Sequence, residues 1–104
     1  MSVLMEFSIF PTDQGDSVSA QVGEVVRMVR ASGLDYRLTP MGTVVETDSV
    51  ADALALVERA AAVLEDLGCR RVYSAIKLDI RSGPSGRMSD KIASVEARIG
   101  EVRR

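Results

Sequence analysis

The 104 residues carry 13 Lys and Arg against 15 Asp and Glu with no basic block, which gives no electrostatic footprint for nucleic acid. One cysteine and no histidine remove disulfides, thiolate zinc sites and every imidazole-based triad or metal cluster. The length supports one core and one domain, residues 1–104, without a separate catalytic lobe, so a sizeable pocket is expected to need a second subunit.

The first predicted element is a strand over Val3 to Phe10, with Val3, Met5, Phe7 and Ile9 on one face and Glu6 and Ser8 on the other. Pro11 to Asp16 is turn-rich. Ser17 or Ser19 then caps a helix whose Val18, Val22, Val25, Val26 and Val29 form an apolar stripe, ended by Gly33. Tyr36 to Thr39 is short and extended, Pro40-Met41-Gly42 reads as a hairpin turn, and Thr43 to Thr47 is a β-branched strand pairing antiparallel with it. Asp48 or Ser49 caps a long helix with two apolar stripes, one through Val50, Leu54, Val57, Ala61 and Leu64 and one through Ala53, Leu56, Ala60, Val63 and Leu67. So wide a surface implies burial on more than one side. Gly68 closes it as Gly33 closes the first, both suiting the left-handed backbone just past a helix end. Arg71 to Arg81 is the last strand. The loop Ser82-Gly83-Pro84-Ser85-Gly86 reads as a mobile connector, with a lid as the alternative. It leads to a helix with Met88, Ile92, Val95, Ile99 and Val102 on one stripe that must cover something.

Two halves, each strand, helix, glycine and strand, describe a split βαβ plan. Right-handed crossovers set the first and last strands side by side and the third strand on the other side of the first. The fold class is therefore α+β, a ferredoxin-like βαββαβ sandwich with an added C-terminal helix. Charge interrupts the apolar runs and no basic stretch leads into an apolar N-terminal segment, so neither a membrane span nor an export signal is expected, and the expected location is cytoplasmic.

Parity sends Val72, Ser74, Ile76, Leu78 and Ile80 of the last strand to the helices, with the odd face of the first strand. The other face collects Leu4, Glu6, Ser8, Phe10, Arg37, Thr39, Val44, Glu46, Tyr73, Ala75, Lys77 and Asp79. There Glu6 and Ser8 sit between Glu46 on one neighbour and Lys77 or Asp79 on the other. Two readings stay open: a face that is solvated or closed by interfacial ion pairs in a dimer, and a small-molecule site with carboxylates for a cationic or amino-bearing ligand, hydroxyls for orientation and Phe10 or Tyr73 for stacking. Glu6 and Glu46 could form an acid–base pair, but no nucleophile, electrophile or metal clamp accompanies them, so no catalytic or metal-binding residue is assigned and no enzyme is expected. Cys69 is read as structural, since no imidazole can activate its thiol.

Several segments resemble the YkoF-like family of small thiamine-binding proteins, long catalogued as uncharacterised. They are Glu6-Phe7-Ser8 with Phe10-Pro11; Ser32-Gly33-Leu34-Asp35-Tyr36 continuing through Leu38-Thr39-Pro40-Met41-Gly42-Thr43 to Glu46; Arg71-Val72-Tyr73 through Ile76-Lys77-Leu78-Asp79-Ile80-Arg81; and Asp90-Lys91. The Leu-Thr-Pro-Met-Gly-Thr segment is the most specific. The resemblance spans almost the whole chain. It implies a ferredoxin-like subunit that pairs sheet to sheet in a homo-oligomer, a dimer of dimers. It also implies a site for thiamine or its hydroxymethylpyrimidine portion, without turnover and without a cofactor. Carried over by position, the implied ligand contacts are Glu6, Ser8, Thr39, Thr43, Glu46 and Lys77. The loop from Pro84 to Arg87 departs from the tight turn expected of the family. The expected function is that of a carrier, buffer or sensor; the alternative is a structural or regulatory homo-oligomeric module with no physiological small ligand.

Overall fold

Alternation in the first segment produces strand β1, Ser2–Pro11, in the computed structural model, which describes residues 1–104. Val3, Met5, Phe7 and Ile9 are buried and Glu6 is exposed, the two-residue period expected of a sheet with one face packed. Helix α1 (Ser19–Ala31), strands β2 (Asp35–Thr39) and β3 (Gly42–Thr47), helix α2 (Val50–Asp66), strand β4 (Val72–Arg81) and helix α3 (Arg87–Ile99) follow. The four strands are ordered β2-β3-β1-β4 and every neighbouring pair is antiparallel, the ferredoxin-like arrangement.

Helix ends follow local chemistry in part. Ser49 caps α2, its Oγ accepting the Asp52 N–H at 3.0 Å. Gly33 and Gly68 adopt φ of 79° and 84° just beyond α1 and α2. Neither Ser17 nor Ser19 caps α1. Val18 holds the cap position, and the two serine hydroxyls lie 3.3 Å from each other instead.

The core joins the odd face of β1 to Val45 of β3, Val25 and Val29 of α1, Ala53, Leu56, Ala60 and Leu64 of α2, and Cys69. Each large side chain removed from water there contributes roughly 1.5–3 kcal/mol. Only one side of α2 is buried, so Leu54, Ala61 and Leu67 face solvent rather than a second packed surface.

The outer strand departs from expectation. Ile76, Leu78 and Ile80 share the helix-side face with Phe7, Met5 and Val3, their register partners, yet they are 41%, 37% and 52% exposed. The two packed helices lie over β1, β2 and β3, and only α2 reaches toward β4, which forms one edge of the sheet. The apolar strip is left uncovered.

Helix α3 lies against β1 and β3, beginning on the sheet face opposite the other helices. Met88 is buried and Ile92 half-buried, whereas Val95 and Ile99 are exposed as the helix leaves the sheet. The molecule measures 45 × 29 × 21 Å, with a radius of gyration of 14.9 Å against about 13 Å for a domain of this length. No helix is long and apolar enough to cross a membrane.

Candidate functional site

On the sheet face away from α1 and α2, strand register sets Glu6 between Val44 and Lys77, and Leu4 between Glu46 and Asp79. Glu46 is therefore one pair of residues further along than the position beside Glu6 that parity suggests. Glu6 Oε1 meets Lys77 Nζ at 3.2 Å, an exposed pair worth about 0–1 kcal/mol. At the far end Phe10 lies opposite Tyr73, their ring centres 5.8 Å apart at 43°.

Glu46 is buried and fully engaged within the chain. Its Oε2 accepts Ser2 Oγ at 2.6 Å, the Gly86 N–H at 2.8 Å and the Arg87 N–H at 3.2 Å, while Oε1 accepts the Met88 N–H at 3.4 Å. One carboxylate thus caps the first turn of α3 across the sheet, where the helix dipole favours negative charge. Burial raises the pKa of Glu46, but the hydrogen bonds from Ser2 and from the Arg87, Met88 and Gly86 amides outweigh it and hold the group below the usual glutamate range.

Arg87 completes the corner. Its Nε donates to Ser2 Oγ at 3.1 Å, and its Nη2 donates to the Ser2 carbonyl at 3.0 Å and the Asp79 carbonyl at 2.7 Å. Its Nη1 lies 3.2 Å from Asp79 Oδ2, which also takes Lys91 Nζ at 2.6 Å. The Lys91 and Arg87 side chains hold Asp79 below its ordinary range. Gly86 to Met88 are therefore tied to the sheet, and the loop before them is anchored at its C-terminal end.

A cavity lies on the other face, between α1, the end of β1 and the β2–β3 hairpin, with a volume of about 350 Å3. This falls within the range of small-molecule sites, roughly 300–1,000 Å3. The recess is lined by residues of a single chain and stands open to solvent on one side. Phe7, Ser8, Ile9 and Phe10 supply one wall, Val18, Val22, Val25 and Val26 a second, and the run Leu38 to Thr43 the third. None of these residues is charged. The hairpin keeps its shape because Thr39 Oγ1 donates to the Gly42 carbonyl at 2.9 Å and accepts the Met41 N–H at 3.2 Å. Gly42 permits the hairpin to lie flush on β1, since a Cβ there would sit 2.8 Å from the Phe7 carbonyl oxygen.

The six positions carried over by resemblance do not gather in one place. Ser8, Thr39 and Thr43 border the cavity. Thr43 pairs with Phe7 and so shares the helix-side face, whereas the Ser8 side chain belongs by parity to the other face and Ser8 borders the cavity from within the strand. Glu6 and Lys77 face away from it, and Glu46 is enclosed under α3. The Ser2–Glu46–Arg87–Asp79 corner has no local pattern in the sequence, because its members lie up to 85 residues apart.

The family model described as thiamine-binding protein matches residues 5–96. A UPF0045 protein of Mycobacterium bovis is 42% identical over 98 residues, covering 92% of this chain and 93% of its own. Among solved structures, the hypothetical protein MJ1052 of Methanocaldococcus jannaschii is 30% identical with a TM-score of 0.77, covering 90% of this chain and 95% of that one. A domain of unknown function, DUF77, from Bacillus cereus is 27% identical with a TM-score of 0.78, covering 88% of each chain. With the match running from the middle of β1 into α3, the chain belongs to the thiamine-binding protein family.

Proposed function

We propose that the chain is a non-catalytic binding protein for thiamine or its hydroxymethylpyrimidine moiety, acting as a cytoplasmic carrier, buffer or sensor. One observation carries the reading: the segments Phe7 to Phe10 and Leu38 to Thr43, separate in sequence and both part of the family resemblance, line the same uncharged cavity. Its aliphatic and aromatic walls suit a flat ring. Thr43 Oγ1, which forms no hydrogen bond within the chain, and the hairpin around Thr39 supply the polar contacts that orient it. Glu6 and Lys77 then belong to the surface of the sheet and Glu46 to the seating of α3.

Isothermal titration of the purified chain with thiamine and with hydroxymethylpyrimidine tests the reading. Saturable binding of either supports it; no heat and no thermal shift with either at millimolar concentration sinks it.

The uncovered strip Ile76, Leu78 and Ile80 favours a homo-oligomer, the context in which a ligand-free structural or regulatory module would also operate. Sedimentation alongside titration separates the two. An assembly-deficient variant that still binds ligand supports a binding protein, and an oligomer that binds neither compound supports the module.

A further inference from the structure

A shallower groove adjoins the cavity and shares Val22, Val26 and Leu38 with it. The remaining walls of the groove are Ser19, Gly23, Arg27 and Arg30, all on α1. Positions 19, 22, 23, 26, 27 and 30 recur at three- and four-residue spacing, so they form one face of that helix, and the groove continues the cavity along it.

Charge is divided unevenly between the two spaces. The cavity lining contains no charged residue, whereas the groove contains two arginines and no carboxylate. Arg27 Nε lies 3.2 Å from Glu24 in an exposed pair within α1, and Arg30 forms no salt bridge. A thiazolium cation finds no counter-charge in either space. An anionic group attached to a ring in the cavity finds two planar guanidinium groups, whose N–H pairs match phosphate oxygens two at a time.

The glycine in the groove adds an independent observation. Gly23 lies inside α1, where glycine costs about 1 kcal/mol relative to alanine. A Cβ at this position would meet nothing within 4 Å. No packing within the chain therefore calls for a missing side chain, and its absence leaves the floor of the groove open beside Arg27.

We propose that the ligand of this protein is a phosphate monoester of a heteroaromatic ring, the ring held in the cavity and the phosphoryl group held in the groove by Arg27 and Arg30. The proposal rests on the reading of the cavity given above and narrows its ligand class. It also orients the ligand, with the ring toward Thr43 and the ester oxygen passing between Val22, Val26 and Leu38.

The test compares four compounds by titration at low ionic strength: hydroxymethylpyrimidine, its monophosphate ester, thiamine and thiamine monophosphate. At least one ester is expected to bind about tenfold more tightly than its parent, the effect of one good charge-assisted contact. This ratio should shrink as salt is raised toward 0.5 M. In the double variant Arg27→Ala/Arg30→Ala, and separately in Gly23→Leu, which fills the groove while favouring the helix, the ratio should fall toward one. Esters that bind no better than their parents overturn the proposal alone, as does a ratio that survives in the double variant. If Arg30 serves only the end of α1, Arg30→Ala lowers the melting temperature and leaves the ratio intact, which also overturns it. Failure of all four compounds to bind overturns the proposal together with the reading on which it stands.

Discussion

Glu46 accepts the backbone N–H of Gly86 at 2.8 Å, across 40 residues of sequence, and this contact seats α3 on the sheet. The carboxylate does for α3 what a local capping side chain does for α2 at Ser49. Helix and sheet are thereby joined through a charged acceptor.

Replacing Glu46 by Gln retains the shape but removes the charge and leaves fewer acceptor sites for four donors. The expected cost is about 1–3 kcal/mol in urea denaturation. Amide protection in α3 should fall well before that of α2, and ring-compound binding should change less than stability does. Arg87→Ala keeps the backbone N–H that Glu46 accepts but removes the donors to Ser2 Oγ and to the Ser2 and Asp79 carbonyls, and should cost about 1–3 kcal/mol.

Acid should loosen the same corner first. Both Glu46 and Asp79 have folded-state pKa values below their ordinary ones. The stability they contribute is therefore fully present above those ordinary values, near pH 4 to 4.5, and is lost as pH falls through the depressed folded-state values. Hydrogen exchange measured from pH 6 down to pH 3 should show α3 protection falling below about pH 4, ahead of the β1–β3 amides; uniform loss across the chain would contradict this order.

Gly42→Ala tests the hairpin. The added methyl would meet the Phe7 carbonyl oxygen at 2.8 Å, so β3 must shift from β1 or the turn must open. Overpacking of this kind costs about 1–3 kcal/mol, and the shift also moves one wall of the cavity. A lower urea midpoint with weakened binding of hydroxymethylpyrimidine is expected.

Thr43→Val separates binding from stability. Valine conserves the volume of a side chain whose hydroxyl serves no partner in the chain, so the melting temperature should hold or rise. Loss of one hydrogen bond to the ligand should weaken binding by about fivefold to tenfold. Equal affinities in the titration would remove Thr43 from the site.

Leu78→Lys places a charge in the middle of the uncovered strip on β4. Leu78 is 37% exposed in the single chain, so the substitution should leave the monomer folded. Sedimentation should show a smaller species, and wild-type assembly would clear this strand of an interfacial role.

Much of the architecture is legible in local pattern. Alternation in β1, the β-branched run Thr43 to Thr47 and the glycines at 33 and 68 are short-range signals, and right-handed crossovers then allow little besides the observed strand order. Parity places Glu6 on one face with Lys77 and Asp79, and the register of β1 on β4 selects Lys77. The fate of Ile76, Leu78 and Ile80 does not follow from parity. Their apolar character reads as core, yet cover depends on where α2 comes to rest, a question of three-dimensional packing. Glu46 carries no local mark of its role because its partners lie in another helix and another strand. The cavity is marked in the sequence only through the resemblance, whose Ser8, Thr39 and Thr43 border it, while parity by itself places the polar side chains of β1 on the opposite face.

The position of β1 between β3 and β4 also has a kinetic side. Its hairpin-side neighbour is available once residue 47 has emerged from the ribosome, whereas Val72 to Arg81 must be synthesised before its other edge can be paired. Until then Val3, Met5, Phe7 and Ile9 belong to a strand with an open edge, the kind of surface on which unfinished chains associate. Closing that pairing over most of the chain is a long-range step, so the completion of β1–β4, rather than formation of any of the three helices, is where folding of this protein should be slowest.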